Sequence, residues 1–254
     1  MPLLSVIVIT RNEEKNIKEF LDMLSWVEEI VLVDDESTDR TVQIASTYPN
    51  VKIFKRRMKN GFGPQKQYAL EQATGEWVLV LDCDERITEK CKEEILKKIS
   101  FHQYDGFYFL RKNMIFGKFI SDYKPRALRL FRRRKGKFTD AGVHENVIVK
   151  GKIGVINEPI IHYSRSTENI ENYIDTLNLY TLFSAQEMFA KGRKVSSFGF
   201  FLYFILYPIY IFLRVFLFKK FYAKGIVGIV LATLRMFEGV IGYFKLWELS
   251  RKDI

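Results

Sequence analysis

The chain has 254 residues, 48% hydrophobic and 15% aromatic, with 40 Lys plus Arg against 30 Asp plus Glu for a net charge of +10. That length supports a sizeable core, and the apolar content excludes a disordered chain. Two cysteines are too few for a disulfide scaffold. A positive balance fits nucleic acid, a membrane surface or an anionic substrate, and only the placement of the charge separates them.

The first hundred residues alternate strand and helix. Leu4 to Ile9 is an apolar run of strand length. The residues before it lack a basic n-region and no small-residue cleavage site follows, so the run reads as a buried strand and not an export signal. Ile17, Phe20, Leu21 and Leu24 then mark one helix face. Ile30 to Val33 is a second strand, residues 39–48 a short helix stopped by Pro49, and Val51 to Phe54 a third strand. A helix from about Pro64 to Thr74 ends at Gly75, and Trp77 to Leu81 is a fourth strand. Strands apolar on both faces and separated by helices imply an α/β fold, a mostly parallel sheet with helices on both sides. Ligands bind such sheets beyond the carboxyl ends of the strands. The polar clusters at 10–14, 34–39 and 82–85 all fall there. Cys83 and Cys91 are expected to be reduced cytoplasmic thiols, with Cys91, Ile95 and Ile99 on one buried helix face.

From 106 to 163 the pattern changes to short strand-like pieces: Gly106 to Leu110, Ala127 to Phe131, Val147 to Val149 and Pro159 to His162. Three helical stretches follow, at about 167–190, 196–218 and 223–248. The charge is concentrated. Lys124, Arg126, Arg129, Arg132, Arg133, Arg134, Lys135 and Lys137 lie within fourteen residues that hold no acid. The aromatic excess is concentrated too, with eight aromatics among the nineteen uncharged residues from Val195 to Leu213.

Asp82-Cys83-Asp84, just past the fourth strand, is the sharpest chemical signal. Two carboxylates one residue apart suit a hard cation that also takes a substrate's phosphates. The same spacing suits a turn ahead of the helix that begins near Thr88. After the second strand, Asp35 is placed to accept hydrogen bonds from a ribose or base edge, while Ser37, Thr38 and Asp39 read as a turn and helix cap. Neither a G-x-G-x-x-G nor a G-x-x-x-x-G-K-[ST] is present, which disfavours a nicotinamide or flavin cofactor and excludes a P-loop NTPase.

Three blocks, Ser5-Val6-Ile7-Val8-Ile9-Thr10-Arg11-Asn12-Glu13-Glu14, Ile30 to Thr41 with Asp34-Asp35-Glu36-Ser37-Thr38-Asp39, and Ala73 to Glu85 with Asp82-Cys83-Asp84-Glu85, strongly resemble family 2 glycosyltransferases of the GT-A fold. Within that family the chain is most similar to bacterial enzymes of the lipopolysaccharide inner core, the β-1,4-glucosyltransferase group. The blocks for that narrower likeness are Arg129-Leu130-Phe131-Arg132, Val143-His144-Glu145, Ile161-His162-Tyr163-Ser164 and Lys224-Gly225-Ile226-Val227-Gly228. The resemblance implies a nucleotide-sugar donor, a UDP-sugar first, with Mn²⁺ or Mg²⁺ as cofactor. Thr10, Arg11, Asn12 and Glu13 would line the nucleotide pocket, with Asp35 on the base or ribose. Asp82 would meet the ribose or a metal-bound water, and Asp84 the metal. Lys66 would contact a phosphate, although Gln67 stands where relatives have Asn.

An inverting transfer needs a base to take the acceptor's proton. Relatives often use an E-D pair, which this chain lacks in the expected region. Glu145 is the first candidate and Asp140 the second, although Glu145 also suits an ion pair with the basic segment. His162 is the candidate third metal ligand, though a lone His is commonly structural. His144 is placed to orient Glu145 or touch the acceptor, and His102 reads as a surface residue. Arg126 and Arg129 read as acceptor or phosphate contacts, since Arg forks suit phosphate. Anionic lipid is the other use of the basic segment, at about 1 kcal/mol per basic residue near the surface. Pro208, Arg214 and the aromatic richness of 196–218 favour peripheral or monotopic attachment at the cytoplasmic membrane face over a single span.

The expectation is therefore a GT-A catalytic domain over 1–165, with a nucleotide half 1–100 and an acceptor half 101–165. A helical, membrane-docking region over 166–254 follows. The expected reaction is inverting transfer to an anionic glycolipid acceptor, with no nucleic-acid partner. The rivals are a polyprenyl-phosphate or other glycolipid transferase, and a non-enzymatic basic protein binding membrane or nucleic acid.

Overall fold

Leu4–Thr10 (β1), Glu29–Asp34 (β2), Val51–Lys55 (β3) and Trp77–Val80 (β4) alternate with the helices Glu14–Met23 (α1), Thr41–Ala45 (α2) and Phe62–Gln72 (α3). β1 lies between β2 and β4, β3 flanks β2, and all these pairings are parallel. Successive residues point to opposite faces. Val6, Val8, Leu79 and Leu81 join a core with Ile17, Phe20 and Leu21 of α1, while Ile7, Val31, Val78 and Val80 join another with Ala69 and Leu70 of α3. Both faces are covered, which is why these strands read as unbroken apolar runs.

The computed structural model describes residues 3–59, 61–101, 103–121, 127–139, 147–193 and 195–251. They fall into two compact units, Met1–Met114 with Phe119–Tyr163, and Ile115–Lys118 with Ser164–Ile254.

After β4 the first unit continues with Glu85–Arg86 (β5), helix Glu89–Ser100 (α4), Gly106–Ile115 (β6), Lys118–Ser121 (β7) and Ala127–Arg132 (β8). Gly136–Phe138 (β9), Val147–Val149 (β10) and Ile153–His162 (β11) complete it. The main sheet runs β3-β2-β1-β4-β8-β6-β11-β5, with β7 on β6. β8 is antiparallel to β4 and β6, β11 is parallel to β6, and β5 closes antiparallel on the end of β11. β6 and β11 are ten residues each, longer than their apolar runs suggest. The polar Arg111-Lys112-Asn113 stretch continues the ladder opposite Ile160, Ile161 and His162. Thr88 caps α4 by accepting from Cys91 N–H at 3.2 Å, and Cys91, Ile95 and Ile99 are buried as expected. Burial pushes the Cys91 thiol up to about 12 and the Cys83 thiol well above its usual range, so neither is a ready nucleophile.

In the second unit, Asn169 caps α5 (Ile170–Ala190) by accepting from Asn172 N–H at 2.8 Å. α6 (Ser197–Phe201) and α7 (Tyr207–Leu213) form one continuous helix, widened to i→i+5 bonding over Leu202–Leu206 and Arg214–Phe218. Pro208 has no N–H for the carbonyl four residues back, and the wide turn ahead of it accommodates that loss. α8 (Ile226–Arg251) packs against α5 and α7. Phe198–Phe218 and Ile226–Arg251 are long and apolar enough to cross a membrane by length and composition. Phe198, Phe218 and Ile226 are 71%, 81% and 79% exposed.

The amino ends of the parallel strands are held by one buried acid. Glu29 accepts from Ser5 Oγ of β1, from Lys52 Nζ of β3 at 2.7 Å and from Thr74 N–H at 2.7 Å. Burial alone would raise this carboxyl, but these donors outweigh it and hold it at about 2. Stability from Glu29 is therefore full above pH 4.5, the ordinary value, and is lost as the pH falls toward 2. Denaturant unfolding is expected to show Glu29→Gln less stable by about 3 kcal/mol at pH 7, with the gap shrinking at pH 3. A gap independent of pH would contradict this account.

Candidate active site

The loops after β1 and β2 lie side by side at the carboxyl edge and are stitched by hydrogen bonds. Asp35 N–H reaches Thr10 O at 2.8 Å, Asn12 N–H reaches Ser37 Oγ at 2.9 Å, and Thr38 N–H reaches Asn12 Oδ1 at 2.8 Å. Asn12 has φ +56, a left-handed conformation that Asn tolerates well. Asp39 accepts from Thr41 N–H at 2.9 Å and from Glu14 N–H at 3.0 Å, so it ties the first residue of α2 to that of α1. Asp35 is buried, with Oδ1 accepting from Met58 N–H at 2.7 Å and Oδ2 lying 3.2 Å from Arg11 Nη1. Thr10, Arg11, Asn12, Glu13 and Asp35 are thus brought to one edge, with Arg11 largely exposed and Asp35 held rigidly.

Past β4 the chain turns at Asp82–Glu85, where Glu85 N–H returns to Asp82 O at 2.9 Å and Glu85 Oε2 accepts from Asp82 N–H at 3.0 Å. Cys83 points into the core. Lys66 from α3, itself buried, places Nζ 3.1 Å from Asp82 Oδ1, and Arg129 from β8 places Nη2 3.0 Å from Asp82 Oδ2. The same Arg129 nitrogen is 2.8 Å from Glu85 Oε1, whose side chain is wholly buried. Burial alone would raise the Asp82 carboxyl, but Arg129 and Lys66 outweigh it and hold it well below the usual carboxylate range. For Glu85 burial dominates and pushes the carboxyl up, against Arg129.

Asp84 is in a different environment. Pairing of β5 with β11 sets His162 opposite Glu85, and His162 Nε2 lies 3.3 Å from Asp84 Oδ2. Asn113, in register with His162 on β6, places Oδ1 2.9 Å from Nδ1. With Nδ1–H donating to Asn113, Nε2 faces Asp84. A carboxylate oxygen and an imidazole nitrogen oriented by a third group are a donor set that Mn²⁺ or Mg²⁺ accepts. Among the described residues no third His, Cys, Asp or Glu completes a metal cluster, so further ligands would come from a bound diphosphate.

Asp82, expected beside the ribose or the metal, has both its oxygens facing cations. Lys66 and Arg129, expected to meet phosphate or acceptor, are buried and pair with that carboxylate. The basic segment is partly consumed as well: Arg132 pairs with Glu76 and Asp105, Lys135 is 2.6 Å from Asp105, and Arg133 Nε donates to Gly75 O. Arg126, Asp140, His144, Glu145 and His102 lie outside the described residues. Sequence reasoning missed Glu85 and Asn113 as parts of the site. Glu85 was visible as the acid ending the Asp82 block, whereas Asn113 carried no local signal.

The profile of Glycosyl transferase family 2 matches residues 5–147. The chain belongs to this family. It is a glycosyltransferase with a GT-A catalytic unit and a C-terminal region containing two apolar helices. An uncharacterised glycosyltransferase of Rickettsia prowazekii is 27% identical over 270 aligned positions, covering 100% of this chain and 89% of that one. The lipopolysaccharide core biosynthesis glycosyltransferase LpsC of Rhizobium meliloti is 29% identical over 203, covering 75% and 73%. Among solved structures, a mannosyltransferase of Pyrobaculum calidifontis in complex with GDP-Man and Mn²⁺ has a TM-score of 0.54 at 17% identity, covering 97% of this chain and 87% of its own. That likeness concerns the fold.

Removing the cation beneath the acidic turn strands a buried carboxylate. Arg129→Met is expected to lower unfolding stability by about 3–5 kcal/mol in urea. Adding Glu85→Gln to that variant restores part of the loss. Full additivity of the two substitutions would show that the pair does not interact.

Proposed function

We propose that this glycosyltransferase moves a sugar, with inversion, from a nucleotide-sugar donor to a hydroxyl of a lipid-linked acceptor at a membrane surface. The observation that carries this reading is the division of labour at the acidic turn: Asp82 is neutralised by Lys66 and Arg129, while Asp84 faces His162. Asp84 and His162 would hold Mn²⁺ or Mg²⁺, which when bound neutralises charge on a diphosphate leaving group. Thr10 to Glu13 and Asp35 would hold the nucleoside. Asn113 keeps His162 turned toward Asp84.

In the transfer the acceptor oxygen attacks the anomeric carbon, and its proton passes to a carboxylate, Glu145 first and Asp140 second. The bond from the anomeric carbon to the diphosphate oxygen breaks, and the nucleoside diphosphate leaves. A UDP-sugar is the leading donor. A Staphylococcus aureus TarS structure in complex with UDP, TM-score 0.50 at 20% identity and covering 99% of this chain and 92% of its own, and the Pyrobaculum calidifontis structure with GDP-Man support a nucleotide-sugar donor of either kind. The Rhizobium meliloti relative supports lipopolysaccharide core as the acceptor class, and the inner core is the proposed part of it. The exposed apolar helices support attachment to a membrane, and a nucleotide-sugar donor would place that attachment at the cytoplasmic face of the inner membrane.

Calorimetry with a panel of nucleotide sugars is expected to find one whose binding requires Mn²⁺ or Mg²⁺. Asp84→Ala and His162→Ala weaken that binding by about tenfold or more. Absence of metal-dependent binding to any of them would sink the reading. Glu145→Gln is expected to cut transfer by a factor on the order of 10²–10⁴ with donor binding intact. If Asp140→Asn does so instead, the base is reassigned. Membranes washed in high salt and then carbonate test the attachment, since release by salt alone rules out hydrophobic insertion.

A further inference from the structure

The helical unit holds an open cleft of about 540 Å³ between α5, α8 and the wide-turned helix that contains α7. Its lining carries the cations Arg214, Lys219 and Arg235 against a single carboxylate, Glu238. Arg235 is tied to Glu238 at 2.8 Å, and Arg214 lies over the Tyr210 ring at 6.0 Å. Ser184 adds a hydroxyl to the wall. The size suits a headgroup, being well within the range of small-molecule sites, and the excess of guanidinium charge suits phosphate.

A second, apolar cleft of about 290 Å³ lies next to it, lined by Leu202, Tyr203, Leu206, Tyr207 and Tyr210. The two share the Tyr203 and Tyr207 side chains. Those rings are fixed. Tyr203 stacks on Tyr243 at 4.3 Å, and Gly239 lets Tyr207 approach α8 where an added Cβ would come within 2.1 Å of the ring. Both wide turns contribute, Tyr203 from the first and Arg214 from the second, consistent with the frequent occurrence of such turns at functional sites. An open cationic cleft beside a shallow apolar groove matches an amphiphile and not a free anion.

We infer that this cationic cleft is a binding site for the phosphate headgroup of an anionic lipid, with one acyl chain along the Leu202–Leu206–Tyr210 groove. The inference rests on reading the helical unit as membrane-docking. It adds a stoichiometric lipid site to a general apolar contact, so anionic phospholipid strengthens an attachment that the apolar helices also give to a neutral membrane.

Monomeric dihexanoyl phosphatidylglycerol, titrated into the full chain by calorimetry, tests the site without a membrane. Saturable one-to-one binding is expected, much tighter than for dihexanoyl phosphatidylcholine or inorganic phosphate. Arg214→Gln, Arg235→Gln and the cleft-filling Ser184→Trp should each weaken it about tenfold. Lys220→Gln, which removes an equal charge outside the cleft, should leave it unchanged. Equal binding of phosphatidylcholine or of inorganic phosphate overturns the inference, as does a Lys220→Gln effect as large as the others. Sedimentation with phosphatidylcholine vesicles reads apolar docking separately. Docking without the soluble-lipid site defeats this inference alone, and the soluble-lipid site without docking defeats the docking reading alone.

Discussion

The arrangement of the carboxyl edge depends on one buried guanidinium. Asp82, Asp84 and Glu85 fall within four residues, and Glu85 has no access to solvent. Carboxylates this close cannot all remain charged without a compensating cation. Arg129 supplies it. β8 pairs antiparallel with β4, matching Leu130 to Leu79, so Arg129 falls just where β4 gives way to the turn. An antiparallel strand inserted into a parallel sheet thus delivers a cation to the end of its neighbour, and Lys66 approaches the same carboxylate from α3.

Neutralisation on one side of the turn gives the other side its chemistry. Asp82 faces two cations and Asp84 faces an imidazole, although the two are one residue apart. This asymmetry comes from the partners that topology brings up. α3 and β8 meet Asp82, whereas β5 is two residues long and serves to carry the end of β11, with His162, to Asp84. Buried ion pairs of this kind add little net stability because desolvation offsets their attraction. Their effect is positional: they hold the turn and one of its carboxylates in place while leaving the other available.

The parallel half was legible in the sequence because its determinants are local. Val6 and Ile7 bury on opposite faces, so β1 reads as an apolar run, and Ile17, Phe20 and Leu21 repeat at helical spacing. The three polar clusters were placed at the carboxyl edge by the same pattern. The second half was less legible because its strands are held by distant partners. Arg111-Lys112-Asn113 has no strand signature, yet pairing with β11 extends β6 through it and puts Asn113 beside His162. Charge was the least legible property. Arg129 and Lys66 read in the sequence as contacts for an anionic substrate, and nothing local marks the pairing with Asp82 and Glu85 that the fold gives them.

The same point changes what the net charge means. Most of the excess sits in one acid-free run of sequence, but Arg129, Arg132, Arg133 and Lys135 are engaged by Asp82, Glu85, Glu76, Asp105 and a carbonyl of the first unit. A run without acids is therefore not a face without acids. Attraction to an anionic surface must draw on cations left to solvent or to a cleft. In the helical unit Arg214 lies within the exposed aromatic helix and Lys220 follows it closely, so at the proposed membrane surface apolar contact and charge would act over the same few ångströms.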